Sequence, residues 1–205
     1  MRSLFRALDD EGVRYLLISG QACVLYGASQ FTEDVDLWVQ PASSNLESFL
    51  RAMARVRAVV YKLTPPITLK YVRKGHGFHF RIGADLFLDM MGHPPRVGAF
   101  LAAFSRARKF KTDWGTLRVS APEDLVLLKR TNRPGDYEAI SNLVRLRVVE
   151  DKGGSVRTPV GPPEHVRRGG PRGLWPPSGG QAESVALRPP PCVPCSPSPR
   201  LPCQS

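Results

Sequence analysis

At 205 residues and a net charge of +11, the chain is long enough to bury one real core and basic enough to favour anionic partners such as nucleotides or RNA. No run approaches the roughly 18 apolar residues of a membrane span. The opening Met1-Arg2-Ser3-Leu4-Phe5-Arg6-Ala7-Leu8-Asp9-Asp10 lacks the apolar stretch of a signal peptide, so a cytoplasmic protein is the expectation.

Composition divides the chain in two. Residues 1–150 hold 7 of the 20 prolines and a charge of +7, from 22 basic and 15 acidic residues; they read as globular. Residues 151–205 hold the other 13 prolines, 8 of the 18 glycines and a single aromatic residue, Trp175. So little apolar surface does not offset the entropy of ordering, and this Pro/Gly/Arg-rich tail is expected to be disordered. Its abrupt change of composition also resembles out-of-frame translation of a GC-rich gene. Cys192-Val193-Pro194-Cys195 has the spacing of a zinc half-site, with Cys203 nearby, yet no second C-x-x-C follows and no zinc ribbon is expected.

In chain order, Ser3 to Glu11 reads as a helix with Leu4, Phe5 and Leu8 on one face, stopped near Gly12. Tyr15 to Ile18 is a short buried strand ended by Ser19-Gly20. Gln21 to Tyr26 is a short helix that takes Cys23 into the core, with Gly27 as its cap. A strand carrying Asp34 and Asp36 ends at Pro41, and Ser44-Asn45-Leu46-Glu47 is a capping-box pattern opening a helix to about Arg55. Leu46, Phe49, Leu50 and Met53 recur there at helical spacing and belong to the core.

Val59 to Leu63 and Ile67 to Val72 read as strands separated by Pro65-Pro66. Phe78 to Ile82 alternates, Gly83-Ala84-Asp85 turns, and Leu86 to Met91 is a further strand. Val97 to Ala107 reads as a helix, Lys109 to Ser120 as a hairpin turning at Asp113-Trp114-Gly115, and Pro122 to Lys129 and Pro134 to Arg147 as closing helices. Strands and helices alternate around one mixed sheet, so the fold class is α/β (α+β). Arg106 to Lys111 reads as a solvated charge run, and His76, His79 and His93 lack ligand spacing.

Thr32-Glu33-Asp34-Val35-Asp36-Leu37-Trp38-Val39 carries the chemistry. Side chains alternate on a strand, so Asp34 and Asp36 share one face while Val35 and Leu37 take the other. Paired like charges on a core-forming strand repel unless a cation lies between them. Hard oxygen ligands suit Mg²⁺ or Mn²⁺, completed by water and phosphate. An edge strand with solvated acids is the plain alternative, made uncomfortable by the apolar flanks.

Leu16-Leu17-Ile18-Ser19-Gly20-Gln21-Ala22, Gly27 and Phe31-Thr32-Glu33-Asp34-Val35-Asp36-Leu37 together resemble the signature of the DNA polymerase β-like nucleotidyltransferase superfamily, in particular its minimal nucleotidyltransferase and AbiEii-toxin-like groups. Ser120-Ala121-Pro122-Glu123-Asp124-Leu125-Val126-Leu127-Leu128-Lys129 with Arg133-Pro134-Gly135-Asp136-Tyr137 is similar to the helical segment that follows the catalytic sheet in those groups. The resemblance implies a polymerase β-like fold and metal-dependent transfer of a nucleoside monophosphate from an NTP, ATP among the candidates, to a hydroxyl of protein, RNA or a small molecule. It implies that Ser19 and Gly20 cradle phosphate and that Asp34 and Asp36 bind metal. Asp89 is the preferred third acid, inside a strand, with Asp85 as the alternate. It also implies a toxin–antitoxin partner. Two positions depart from the pattern: Ser19 stands where the first glycine is usual, and Gln30 where arginine is. The rival readings are a non-catalytic interaction module on the same fold and a basic RNA-binding protein that needs no metal.

Overall fold

Seven strands and seven helices form among the residues that the computed structural model describes, which are 1–152 apart from Phe31, Glu33 and Asn132. They run α1 (Arg2–Asp10), β1 (Tyr15–Ile18), α2 (Ser19–Leu25), β2 (Asp34–Val39), α3 (Ser43–Arg55), β3 (Val59–Val60), α4 (Leu69–Arg73), β4 (Gly77–Ile82), β5 (Leu86–Met91), α5 (Phe100–Arg106), β6 (Arg108–Thr112), β7 (Gly115–Val119), α6 (Pro122–Leu128) and α7 (Pro134–Asp151). The strands make one mixed sheet in the order β3-β4-β5-β2-β1-β7-β6, with β2 parallel to β5, β1 parallel to β7, and the other neighbours antiparallel. The expected α/β class holds.

Register sorts the side chains by face. Tyr15, Leu17, Val35, Leu37, Phe78, Phe80, Leu88 and Met90 share one side, and all are buried. Helices α1 and α3 cover it, with Phe5 6.1 Å from Tyr15 and Phe49 5.7 Å from Phe80 between ring centroids. Each such side chain contributes about 1.5–3 kcal/mol on burial, so this face holds the sheet together. The opposite side carries Asp34, Asp36, Trp38, Phe87, Asp89 and His79. Trp38 closes its apolar end: the indole Nε1 donates to the Gly92 carbonyl at 3.0 Å and the ring packs edge-on against Phe100 of α5.

Several local signals behave as expected. Gly27, at φ +71°, ends α2: its N–H bonds the Val24 carbonyl and that of Ala28 bonds Cys23, a Schellman arrangement that a β-carbon would strain. Pro122 and Pro134 sit in the first turns of α6 and α7, and Cys23 is buried.

Other expectations are corrected. Residues 67–72 do not form a strand; Leu69 to Arg73 turn into a helix whose first bonds run from Tyr71 and Val72 to the Thr68 carbonyl. A short apolar run is ambiguous between helix and strand, and here only Val72 is buried. In 59–63 just Val59 and Val60 pair; one further bond joins the Tyr61 N–H to the His79 carbonyl, and Leu63 is fully exposed. The capping box does not form, because α3 already begins at Ser43, whose hydroxyl donates to Glu47 at 3.2 Å. Buried Asn45 does the anchoring instead, accepting from the Arg14 N–H and donating to the Arg14 and Gln40 carbonyls. Helix α2 starts two residues early, at Ser19, and α5 starts late, at Phe100.

The basic run is not merely solvated. Arg106 grips the buried carboxylate of Asp124 at 2.9 and 2.5 Å, tying α5 to α6, and Arg108 grips Glu150 at 2.6 and 2.8 Å, tying α7 to the sheet. Such two-point pairs fix geometry as well as energy. The chain divides into units Met1–Arg168 and Gly169–Ser205; the expected tail begins at 151, yet Asp151 still belongs to α7, and the rest of the expected disorder, with the C-x-x-C and the frame change, falls on residues 153–205, outside the described ones. Among the described residues no helix is long and apolar enough to cross a membrane.

Candidate active site

Strand β2 is paired along both edges, and that pairing assembles the acids. Parallel β5 sets Asp89 directly beside Asp36 and Phe87 beside Asp34. On the other edge, antiparallel β1 sets Ile18 beside Asp36, so the chain enters α2 at Ser19 next to the same carboxylate. Asp34, Asp36 and Asp89 thus share the open face of the sheet. Asp85 does not join them: it lies exposed in the turn before β5, outside the ladder to β2.

Asp36 shows the stress of this arrangement. Burial, then the charges of Asp89 and Asp34, push its carboxyl from the ordinary 3.8 up to about 6, while a hydrogen bond from Ser19 and the charge of Lys129 pull the other way. A partly buried carboxylate among like charges calls for a cation.

Among the described residues, no three His, Cys, Asp or Glu side chains gather closely enough to enclose an ion by themselves. Asp34 and Asp36 offer two carboxylates from one strand face, which matches the one or two that Mg²⁺ takes from a protein before water and phosphate complete its shell. Asp89 is occupied on its far side, where His79 Nδ1 donates to its Oδ1 at 2.6 Å.

The Ser19-Gly20 corner is built as tightly as the acids. Ser19 adopts φ +59°, which L side chains rarely do, at a cost of order 1 kcal/mol. Gly20 is required by proximity: a β-carbon there would stand 2.6 Å from Thr32 Oγ1 and 2.8 Å from Thr32 Cβ. Gln21 adds a clamp by donating to the Thr32 carbonyl at 3.1 Å. The corner is thereby locked to the segment that delivers Asp34 and Asp36. Gln30 is exposed.

Further charged and polar residues act on the acids or their anchors. Lys129 bonds Asp136 at 2.8 Å, and its charge acts on both Asp36 and Cys23. Thr131 donates to the other oxygen of Asp136 and fixes that anchor. Lys62 is held chiefly by Tyr61 and feels the charges of Asp89 and Asp34 more weakly. His79 carried a signal that counting would have found: a hairpin turning at Gly83-Ala84-Asp85 pairs Ile82 with Leu86, and hence His79 with Asp89.

A mixed sheet with an aspartate pair on its central strand, an acid on the parallel neighbour and a Ser-Gly corner at the next strand end is the arrangement that the resemblance to polymerase β-like nucleotidyltransferases implies. Residues 1–158 match the model of a family described as "Nucleotidyl transferase of unknown function (DUF2204)", and the chain belongs to that family. No curated protein matches the chain. Among solved structures it is similar to lincomycin-bound lincosamide antibiotic adenylyltransferase LnuA, at 14% identity and a TM-score of 0.50 over 71% of this chain and 96% of that one. It is also similar to ANT(2")-Ia in complex with adenylyl-2"-tobramycin, at 12% identity and a TM-score of 0.48 over 73% and 92%. A third is an antigenic nucleotidyltransferase-like protein from Paracoccidioides brasiliensis, at 15% identity and 0.46 over 72% and 73%. At such identities the likeness to LnuA speaks to the fold alone. The chain is a nucleotidyltransferase.

Proposed function

We propose that this chain transfers a nucleoside monophosphate from an NTP to a hydroxyl acceptor with the help of Mg²⁺ or Mn²⁺, releasing pyrophosphate. The observation that carries the reading is Asp36, held against Asp34 and Asp89 with its carboxyl pushed up to about 6. Asp34 and Asp36 would hold the metal, which when bound neutralises charge on the transferring and leaving phosphate oxygens. Ser19 and Gly20 present the corner at which the triphosphate turns, and Lys129 supplies a fixed positive charge beside it. Asp89, the third acid, takes the proton of the attacking hydroxyl or completes the metal shell. The LnuA and ANT(2")-Ia structures carry a small-molecule antibiotic or its adenylyl derivative, which makes a small hydroxyl compound the first acceptor to try, ahead of protein and RNA. A cytoplasmic setting and a toxin–antitoxin partner remain part of the proposal.

The test is transfer of label from α-labelled NTPs, with and without Mg²⁺, in the wild type and in the Asp34→Asn and Asp36→Asn variants. Metal-dependent incorporation lost in both variants is the expected result. No incorporation with any of the four NTPs across small-molecule, protein and RNA acceptors would refute it and favour a non-catalytic module.

A further inference from the structure

We infer that His79 is a positioning residue, holding Asp89 as the proton acceptor for the attacking hydroxyl rather than as a third metal ligand; this rests on the proposed transferase reading. Three side chains stand in register on adjacent strands, Asp36 on β2, Asp89 on β5 and His79 on β4. Directly paired residues on one face are near neighbours, so Asp89 is repelled by the carboxylate on one side and bonded by the imidazole on the other. The His79 bond at 2.6 Å takes Oδ1 and leaves Oδ2 for chemistry.

The surroundings keep the imidazole in place. The Tyr61 ring leans edge-on to His79 at 6.2 Å and packs at 5.2 Å on Phe87, the register partner of Asp34, so one ring braces the imidazole from β4 across to β5. His79 and Asp89 are about a quarter exposed, at 26% and 24%, which places them at the surface of the open face and not in the core.

The order of strands explains why a base belongs there. In an in-line displacement the attacking and leaving oxygens lie on opposite sides of the phosphorus. The Ser19-Gly20 corner lies on the β1 side of β2, and Asp89 with His79 on the β5 side. If pyrophosphate leaves toward the corner, the hydroxyl enters past Asp89. Its oxygen forms a bond to the α-phosphorus, its proton passes to Asp89 Oδ2, and the bond from the α-phosphorus to the bridging oxygen breaks with its electron pair leaving on pyrophosphate. An Asp89 freed from His79 would swing away from Asp36 and lose that position.

Two variants separate this role from simple structural support. His79→Leu removes the donor; His79→Asn keeps one, because an amide N–H can replace Nδ1–H. Release of AMP from α-labelled ATP, with water as the acceptor, is measured at saturating Mg²⁺, together with the Kd for Mn²⁺ with a non-hydrolysable α,β-methylene ATP. His79→Leu should lose about 10- to 100-fold in kcat, the usual effect of removing such an orienting partner, while the Kd changes by less than about twofold. His79→Asn should recover most of the rate. Unchanged kcat in His79→Leu, a loss that falls on the Mn²⁺–nucleotide Kd, or no recovery in a folded His79→Asn would overturn the inference and leave the transferase reading intact. A wild type that releases no AMP and binds no Mn²⁺–nucleotide would overturn both, and one that binds the nucleotide but releases no AMP would overturn the role given to Asp89 and His79.

Discussion

Replacing Asp36 with asparagine should stabilise the metal-free protein while abolishing its activity. The folded chain keeps the Asp36 proton up to about pH 6, whereas the unfolded chain gives it up near 3.8. Between those values the folded state binds more protons, so this group's contribution to stability falls as pH rises, and above about 6 the full penalty stands. Two pH units and a little more, at about 1.4 kcal/mol each, set a ceiling of about 3 kcal/mol. Solvent screening at a partly exposed carboxylate brings the expected gain to about 1–2 kcal/mol, or some 3–6 °C in Tm for a domain of this size. Asparagine retains an oxygen to accept from Ser19, so little is lost in exchange. Thermal unfolding in EDTA, followed by circular dichroism from about pH 4 to 8, gives the difference between the two proteins; the difference is the useful quantity because Glu11, Asp136 and Glu150, held low by their cationic partners, slope the other way. The wild type should draw level with the variant toward pH 4 and fall behind it above 6. Mg²⁺ with nucleotide should then raise the wild type alone. A variant less stable than wild type at about pH 7.5 in EDTA would refute the picture of a strained carboxylate.

Other outcomes follow from single contacts. Gly20→Ala should cost about 1–3 kcal/mol by overpacking Thr32, and a double-mutant cycle with Thr32→Gly should recover much of it in denaturant unfolding. Asp136→Ala leaves Lys129 without its anchor and should destabilise by about 2–4 kcal/mol, measured by urea midpoint, while Lys129→Met should raise the KM for NTP more than it alters stability. Asp85→Asn should transfer label at the wild-type rate, in contrast to Asp34→Asn, because the turn acid stands outside the ladder.

Elements with strong local causes were legible in the sequence: the Leu4, Phe5, Leu8 stripe of α1, the buried β1, the glycine that ends α2, and the aspartates of β2 facing one way. The placing of Asp89 inside a strand and of Asp85 in a turn was legible too, since the apolar run 86–91 and Gly83 mark them. What was illegible depended on partners distant in sequence. Nothing near Arg106 announces Asp124, and nothing near Ser44 announces that Asn45 will reach back to Arg14. The 67–72 run misled because its length suits either element, and the strand edge it might have joined is already held by Val59 and Val60.

The pairing of His79 with Asp89 also has a consequence for how the site comes into being. Both residues belong to one hairpin, ten positions apart, and such a local structure closes within microseconds in small chains. Asp36 meets Asp89 only when β2 docks in parallel, after α3, β3, α4 and β4 have been threaded between them, and long-range parallel pairing is slow. During refolding the His79–Asp89 side of the site would therefore mature before the contact with Asp34 and Asp36. Nucleotide binding, which needs β2 in place, should report the last step of folding rather than the first.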